Sequence, residues 1–103
     1  MFEEWQDSAA CRTLFRVRRA VRVDLASLFP SSGLRKDELP LWVKSEGLRL
    51  EPWMAAQQLA WIRRSDGGWL ALVAMPATSA NGRSNLTMQL WLPPDGFTTD
   101  LTT

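Results

Sequence analysis

Between Gln58 and Leu92 the chain is predominantly apolar and falls into three short runs, separated by two glycine-bearing reversals, Ser65-Asp66-Gly67-Gly68 and Asn81-Gly82. Asp-Gly and Asn-Gly supply the positive φ angles of a two-residue type I′ turn, whose twist matches that of the strands on either side. The segment reads as a three-stranded antiparallel meander. Loops at Asp66-Gly67 and Asn81-Gly82 fix a register. Arg64 then faces Trp69, Ile62 faces Ala71, Trp61 faces Leu72 and Ala60 faces Val73. Across the second reversal Met75 faces Met88, Val73 faces Leu90, Leu72 faces Trp91 and Ala71 faces Leu92.

Side chains alternate between the faces of a strand, so this register sorts the meander into two sets. One face carries Ala60, Ile62, Trp69, Ala71, Val73, Met75, Met88, Leu90 and Leu92, an ordinary core set. The other carries Leu59, Trp61, Arg63, Leu70, Leu72, Ala74, Gln89 and Trp91, with Trp61, Leu72 and Trp91 in one cross-strand row. An antiparallel sheet commonly shows one polar face to water, and neither set here is polar. The second face must be covered by the N-terminal half, by a second copy of the chain or by a partner. Trp61, Leu70, Leu72 and Trp91 are the expected interface. A register one residue off would exchange the two faces and leave both apolar.

Upstream, residues 2–11 combine early acids with Phe2, Trp5 and Ala9 at helical spacing, which predicts a short N-terminal helix with Trp5 docked on the sheet. From Thr13 to Leu25 the period becomes two. Phe15, Val17, Val21, Val23 and Leu25 point one way, while Leu14, Arg16, Arg18, Ala20, Arg22 and Asp24 point the other; Arg19 alone breaks the apolar set. A long amphipathic strand fits this pattern. Pro30-Ser31-Ser32-Gly33 interrupts it, and Leu34 to Leu39 reads as a loop or single helical turn stopped by Pro40. Short strands are expected at Leu41–Lys44 and Leu48–Glu51, joined by Ser45-Glu46-Gly47. The pattern leaves 52–58 open between a two-turn helix with Pro52 at its start and the approach to the meander. After Pro93-Pro94-Asp95-Gly96 the threonine-rich tail is expected to fray.

At 103 residues the chain suits a single domain of 1–103, with a helix at 1–11, a β-rich core at 12–92 and a flexible tail at 93–103. The expected fold is α+β and mostly β: a curved antiparallel sheet or partly open small barrel of five to six strands. Hydrophobic content of 46% with 22% charged residues is that of a globular protein, and a net charge of +1 disfavours nucleic acid as the partner. With no histidine, His-based zinc sites, Ser-His-Asp and Cys-His nucleophiles are all excluded. Cys11 alone makes neither an intrachain disulfide nor a thiolate metal site, and reads as a free thiol in a reducing cytoplasm. No Gly-rich phosphate loop, metal cluster, paired-carboxylate motif or nucleophile elbow is present, and no cofactor is expected. No apolar run is long enough to span a membrane, and no signal-peptide pattern opens the chain. A cytoplasmic protein without enzymatic activity is expected.

Arg12, Arg16, Arg18, Arg19 and Arg22 crowd the first strand without an intervening acid. They read as a solvated strand face whose aliphatic arms lie over tryptophans, or as contacts for an anionic partner or ligand. Six tryptophans without a tyrosine fill a small core efficiently, yet tryptophan is also enriched at interaction hot spots.

Arg18-Arg19-Ala20-Val21-Arg22 has the RRxxR form found at the start of PilZ domains, small antiparallel β-barrels that bind cyclic di-GMP. Val43-Lys44-Ser45-Glu46-Gly47-Leu48 resembles that family's second motif, D/N-x-S-x-x-G, and the hairpin from Leu59 through Val73 resembles a PilZ strand pair. The resemblance covers residues 16–75 loosely. It implies guanine and phosphate contacts from Arg18, Arg19 and Arg22, with Ser45 lining the ligand; Arg16 lies beside them on the strand. Val43 stands where the family has Asp or Asn, Leu48 stands where it has Gly, and a strand at 86–92 replaces its C-terminal helix. Two function classes follow: an interaction module that forms a homodimer or binds a protein partner through its tryptophan-bearing sheet face, and a receptor for an anionic cyclic dinucleotide.

Overall fold

The computed structural model describes residues 2, 5–6, 11–30 and 39–100. The chain is mostly β: five antiparallel strands form one open, unclosed sheet in the order β4-β3-β2-β1-β5. The strands are β1 (Leu14–Asp24), β2 (Trp53–Arg63), β3 (Trp69–Thr78), β4 (Asn85–Leu92) and β5 (Phe97–Thr98). Two short helices, α1 (Leu25–Leu28) and α2 (Leu41–Glu46), and a 3-10 turn at Pro94–Gly96 complete the described elements. No helix among the described residues is long and apolar enough to cross a membrane.

The alternation along the first strand is realised as expected. Phe15, Val21 and Val23 face the same side of β1 as Arg19, because their partners on β2 are Trp61, Ala56, Met54 and Gln58; Arg22 pairs with Ala55 on the other side. Asp24 ends the strand and caps α1: its carboxylate accepts the Ser27 N–H at 3.3 Å and the Ser27 hydroxyl at 2.8 Å. Leu25 is thereby held buried in the core.

The β3–β4 register is as the sequence predicts, with Ala71 opposite Leu92, Leu72 opposite Trp91, Val73 opposite Leu90 and Met75 opposite Met88. The β2–β3 register is not. Gly67 donates its N–H to Arg64 O at 2.9 Å and Arg64 donates to Gly68 O at 2.8 Å. The loop is therefore the three residues Ser65-Asp66-Gly67, with Gly67 at φ 90°, a type I turn followed by a left-handed residue rather than a two-residue type I′ turn. One extra loop residue moves the β2 pairs nearest the loop by one: Ala60 faces Leu72, Trp61 faces Ala71, Ile62 faces Leu70 and Arg63 faces Trp69. Trp61 thus leaves the row of Leu72 and Trp91 for the opposite face.

Other expectations change with their local chemistry. Leu41–Glu46 is a helix, not a strand, since three apolar residues carry no period and the chain turns directly after Pro40, whose carbonyl accepts from Val43 and Lys44. Leu48 makes only an isolated bridge to Ser79. The open choice at 52–58 resolves to strand from Trp53. The tail does not fray directly after Leu92: Phe97 and Thr98 pair with Val23 and Arg22. The helix expected over 2–11 and the turn at 34–39 fall largely outside the described residues.

Leu92 and Phe97 lie on opposite edge strands, yet five residues can span only ~17 Å, less than the ~19 Å of four flat strand spacings. The sheet is therefore curled, and its concave side holds the larger core of Val21, Val23, Leu25, Ala71, Val73, Met75 and Leu92. Irregularities at Gln58/Ala60 on β2 and Arg16/Arg19 on β1 lie side by side at Leu59 and permit the bend. The convex side has a smaller core of Leu14, Ala60 and Leu72, with Phe2, Leu59 and Ile62 packed against it. Both faces are apolar and both carry buried residues.

Candidate functional site

The one-residue slip of β2 assembles a feature that the sequence register did not contain. Trp61 and Trp69 now share the concave face with Phe15 and lie in edge contact, centroids 6.2 Å apart; Phe15 lies 5.7 Å from Trp69, and Phe97 lies 5.7 Å from Trp61. Phe15, Val17, Trp61, Trp69 and Pro94 line an open cup of about 510 Å³. That size lies within the range of small-ligand and side-chain pockets.

Arginines rim the cup. The Arg12 guanidinium sits 4.7 Å from the Phe15 ring centre, that of Arg63 5.0 Å from Trp69 and that of Arg19 5.9 Å from Trp61. Such stacking covers ring faces while the charge stays near water. Arg19 also donates from Nε to Gln58 Oε1 at 2.7 Å, and Gln58 Nε2 donates to Ala60 O at 3.2 Å across the β2 irregularity. The charged rim is thus tied to a buried amide at the bend of the sheet.

The residues singled out from the sequence are dispersed. Arg16 lies over Phe2 at 5.2 Å and Arg22 over Trp53 at 5.3 Å, both on the convex side, while Arg18 is exposed at the β1 irregularity. Ser45 belongs to α2, where its hydroxyl donates to Trp42 O at 3.4 Å and its carbonyl accepts from Asn81 at 2.8 Å. That anchors it at the β3–β4 loop, six residues along β3 from the row of Arg19, on the order of 20 Å away. The sheet does not bring Ser45 to the arginines, and it sets Arg19 and Arg22 on opposite faces. No family model, curated protein or solved structure matches this chain.

Of the four expected interface residues, Leu72 is buried in the convex core and Leu70 is half-buried, while Trp91 remains 45% exposed. Phe15, Trp69, Pro94 and Arg63 were not singled out from the sequence, whereas Arg12 was, among the arginines of the first strand. Their grouping depends on loop length, and the signal that could have found them was Gly67 followed by Gly68, which accommodates a three-residue loop as readily as a two-residue one.

Proposed function

We propose that this chain is a non-enzymatic interaction module that docks a protein surface, a second copy or another chain, on the apolar tryptophan-bearing surfaces of its sheet. The observation that carries this reading is the aromatic cup of Phe15, Trp61 and Trp69, apolar along its whole lining and open to solvent. Trp91 adds an exposed ring on the convex side. Trp61, Trp69 and Trp91 are the anchors, and Arg12, Arg19 and Arg63 favour an acidic rim on the partner. The cytoplasm is the compartment in which an exposed Cys11 stays reduced. Sedimentation velocity combined with acrylamide quenching tests the module. Reversible association that protects tryptophan fluorescence supports it; a strict monomer whose tryptophans are all shielded overturns it.

The three arginines over the cup favour one second reading, an anionic ligand with a planar aromatic body. Cyclic di-GMP is the probe, measured by calorimetry. Binding lost in Arg19→Ala supports the ligand reading, and absence of heat at high micromolar ligand removes it.

A further inference from the structure

β4 is an edge strand, paired with β3 and with nothing else among the described residues. Natural sheets protect such edges with charge, proline, bulges or brevity. Asn85-Leu86-Thr87-Met88-Gln89-Leu90-Trp91-Leu92 has none of these: it is uncharged, free of proline, in unbroken register with β3 and eight residues long. The edge also has a definite set of free groups. Ser79 donates to Ser84 O at 2.9 Å, which makes 79/84 a hydrogen-bonded pair. By alternation 77/86, 75/88, 73/90 and 71/92 are hydrogen-bonded pairs too. The N–H and C=O groups of Asn85, Thr87, Gln89 and Trp91 therefore point away from β3.

We propose that β4 pairs antiparallel with β4 of a second copy about a twofold axis at Met88, joining two five-stranded sheets into one. The proposal rests on the association reading above and names both its partner and its surface. Only this register uses every outward group within the strand. Asn85 exchanges bonds with Trp91 of the other copy and Thr87 with Gln89, and the reverse, whereas centring on Gln89 sets Asn85 against Pro93, which has no N–H. The same register places Met88 opposite Met88 and Leu86 opposite Leu90 on the concave side, so Leu86, 52% exposed in the single chain, gains an apolar neighbour. Charge agrees with a second copy as the occupant. The strand brings no like charges together, and Arg83 of one copy reaches Pro93 of the other, two residues from Asp95.

Register-specific cross-linking tests this in the full chain carrying Cys11→Ser. In this register the Met88/Met88 and Leu86/Leu90 pairs are non-hydrogen-bonded, with Cα atoms ~4.5 Å apart, inside the ~4.4–6.8 Å range of a disulfide. Met88→Cys should form a covalent dimer on mild oxidation. Leu86→Cys alone should not, because its own mate lies ~13 Å along the strand, but a mixture of Leu86→Cys and Leu90→Cys chains should cross-link. Gln89→Pro removes an outward N–H without touching the β3 ladder, and should weaken dimerisation at least ~10-fold by sedimentation while the circular dichroism stays β-rich. Cross-linking of Met88→Cys no better than of Leu86→Cys, or a dimer unaffected by Gln89→Pro, overturns the edge pairing. If that dimer is instead lost in Trp69→Ala, association stands on the cup alone. A wild-type monomer with quencher-accessible tryptophans overturns the edge pairing and leaves the module with a different partner.

Discussion

Arg19 donates from its guanidinium Nε to Gln58 Oε1 at 2.7 Å, joining the one arginine of β1 that breaks the apolar alternation to a fully buried glutamine. The bond explains both anomalies. Arg19 can sit on the concave face because it has a partner there, and Gln58 can be buried because its oxygen and its amide group, the latter through Ala60 O, are both engaged.

Removing the donor should therefore cost more than removing a neighbouring arginine. Arg19→Met strands the Gln58 oxygen and should lower unfolding stability by about 1–3 kcal/mol in urea melts. Arg18→Met, at an exposed site, should stay within about 0.5 kcal/mol.

Leu72 belongs to the convex core. Leu72→Ala should cost about 2–5 kcal/mol, a large share of the ~5–15 kcal/mol that holds a domain of this size folded. Trp91→Ala, in the same cross-strand row but 45% exposed, should cost about 1 kcal/mol in the monomer and act chiefly on association. Thermal melts at low protein concentration separate the two effects.

Gly67 at φ 90° and Gly82 at φ 75° are the positive-φ positions of the two hairpin loops. Gly67→Ala should destabilise by about 1–2 kcal/mol. Gly67→Asn should cost less, because asparagine tolerates the left-handed region. Equal penalties in urea melts would contradict the loop geometry.

Most of the strand content was legible, because Phe15 to Val23 alternate save at Arg19 and the two glycine-bearing reversals divide the apolar stretch that follows into β2, β3 and β4. The β3–β4 register was right although the loop is not two residues: Ser79 and Ser84 close a four-residue loop centred on the same Asn81-Gly82 pair, and the pairing is unchanged. The β2–β3 register was wrong because Ser65 joins Asp66 and Gly67 in the loop, and an odd loop exchanges faces. That single residue hid the cup by parting Trp61 from Trp69. The helix at Leu41–Glu46 and the two-residue β5 are too short to announce a period, and β5 exists only because β1 offers a free edge to Phe97 and Thr98.

The central claim is that one chain leaves apolar sheet surface for another to cover. Sedimentation velocity across the micromolar range, with tryptophan quenching measured on the same samples, tests it most directly. The account predicts a concentration-dependent dimer whose formation lowers the quenching of tryptophan fluorescence. A sedimentation coefficient fixed at the monomer value, with every tryptophan shielded from quencher even in dilute solution, would contradict it.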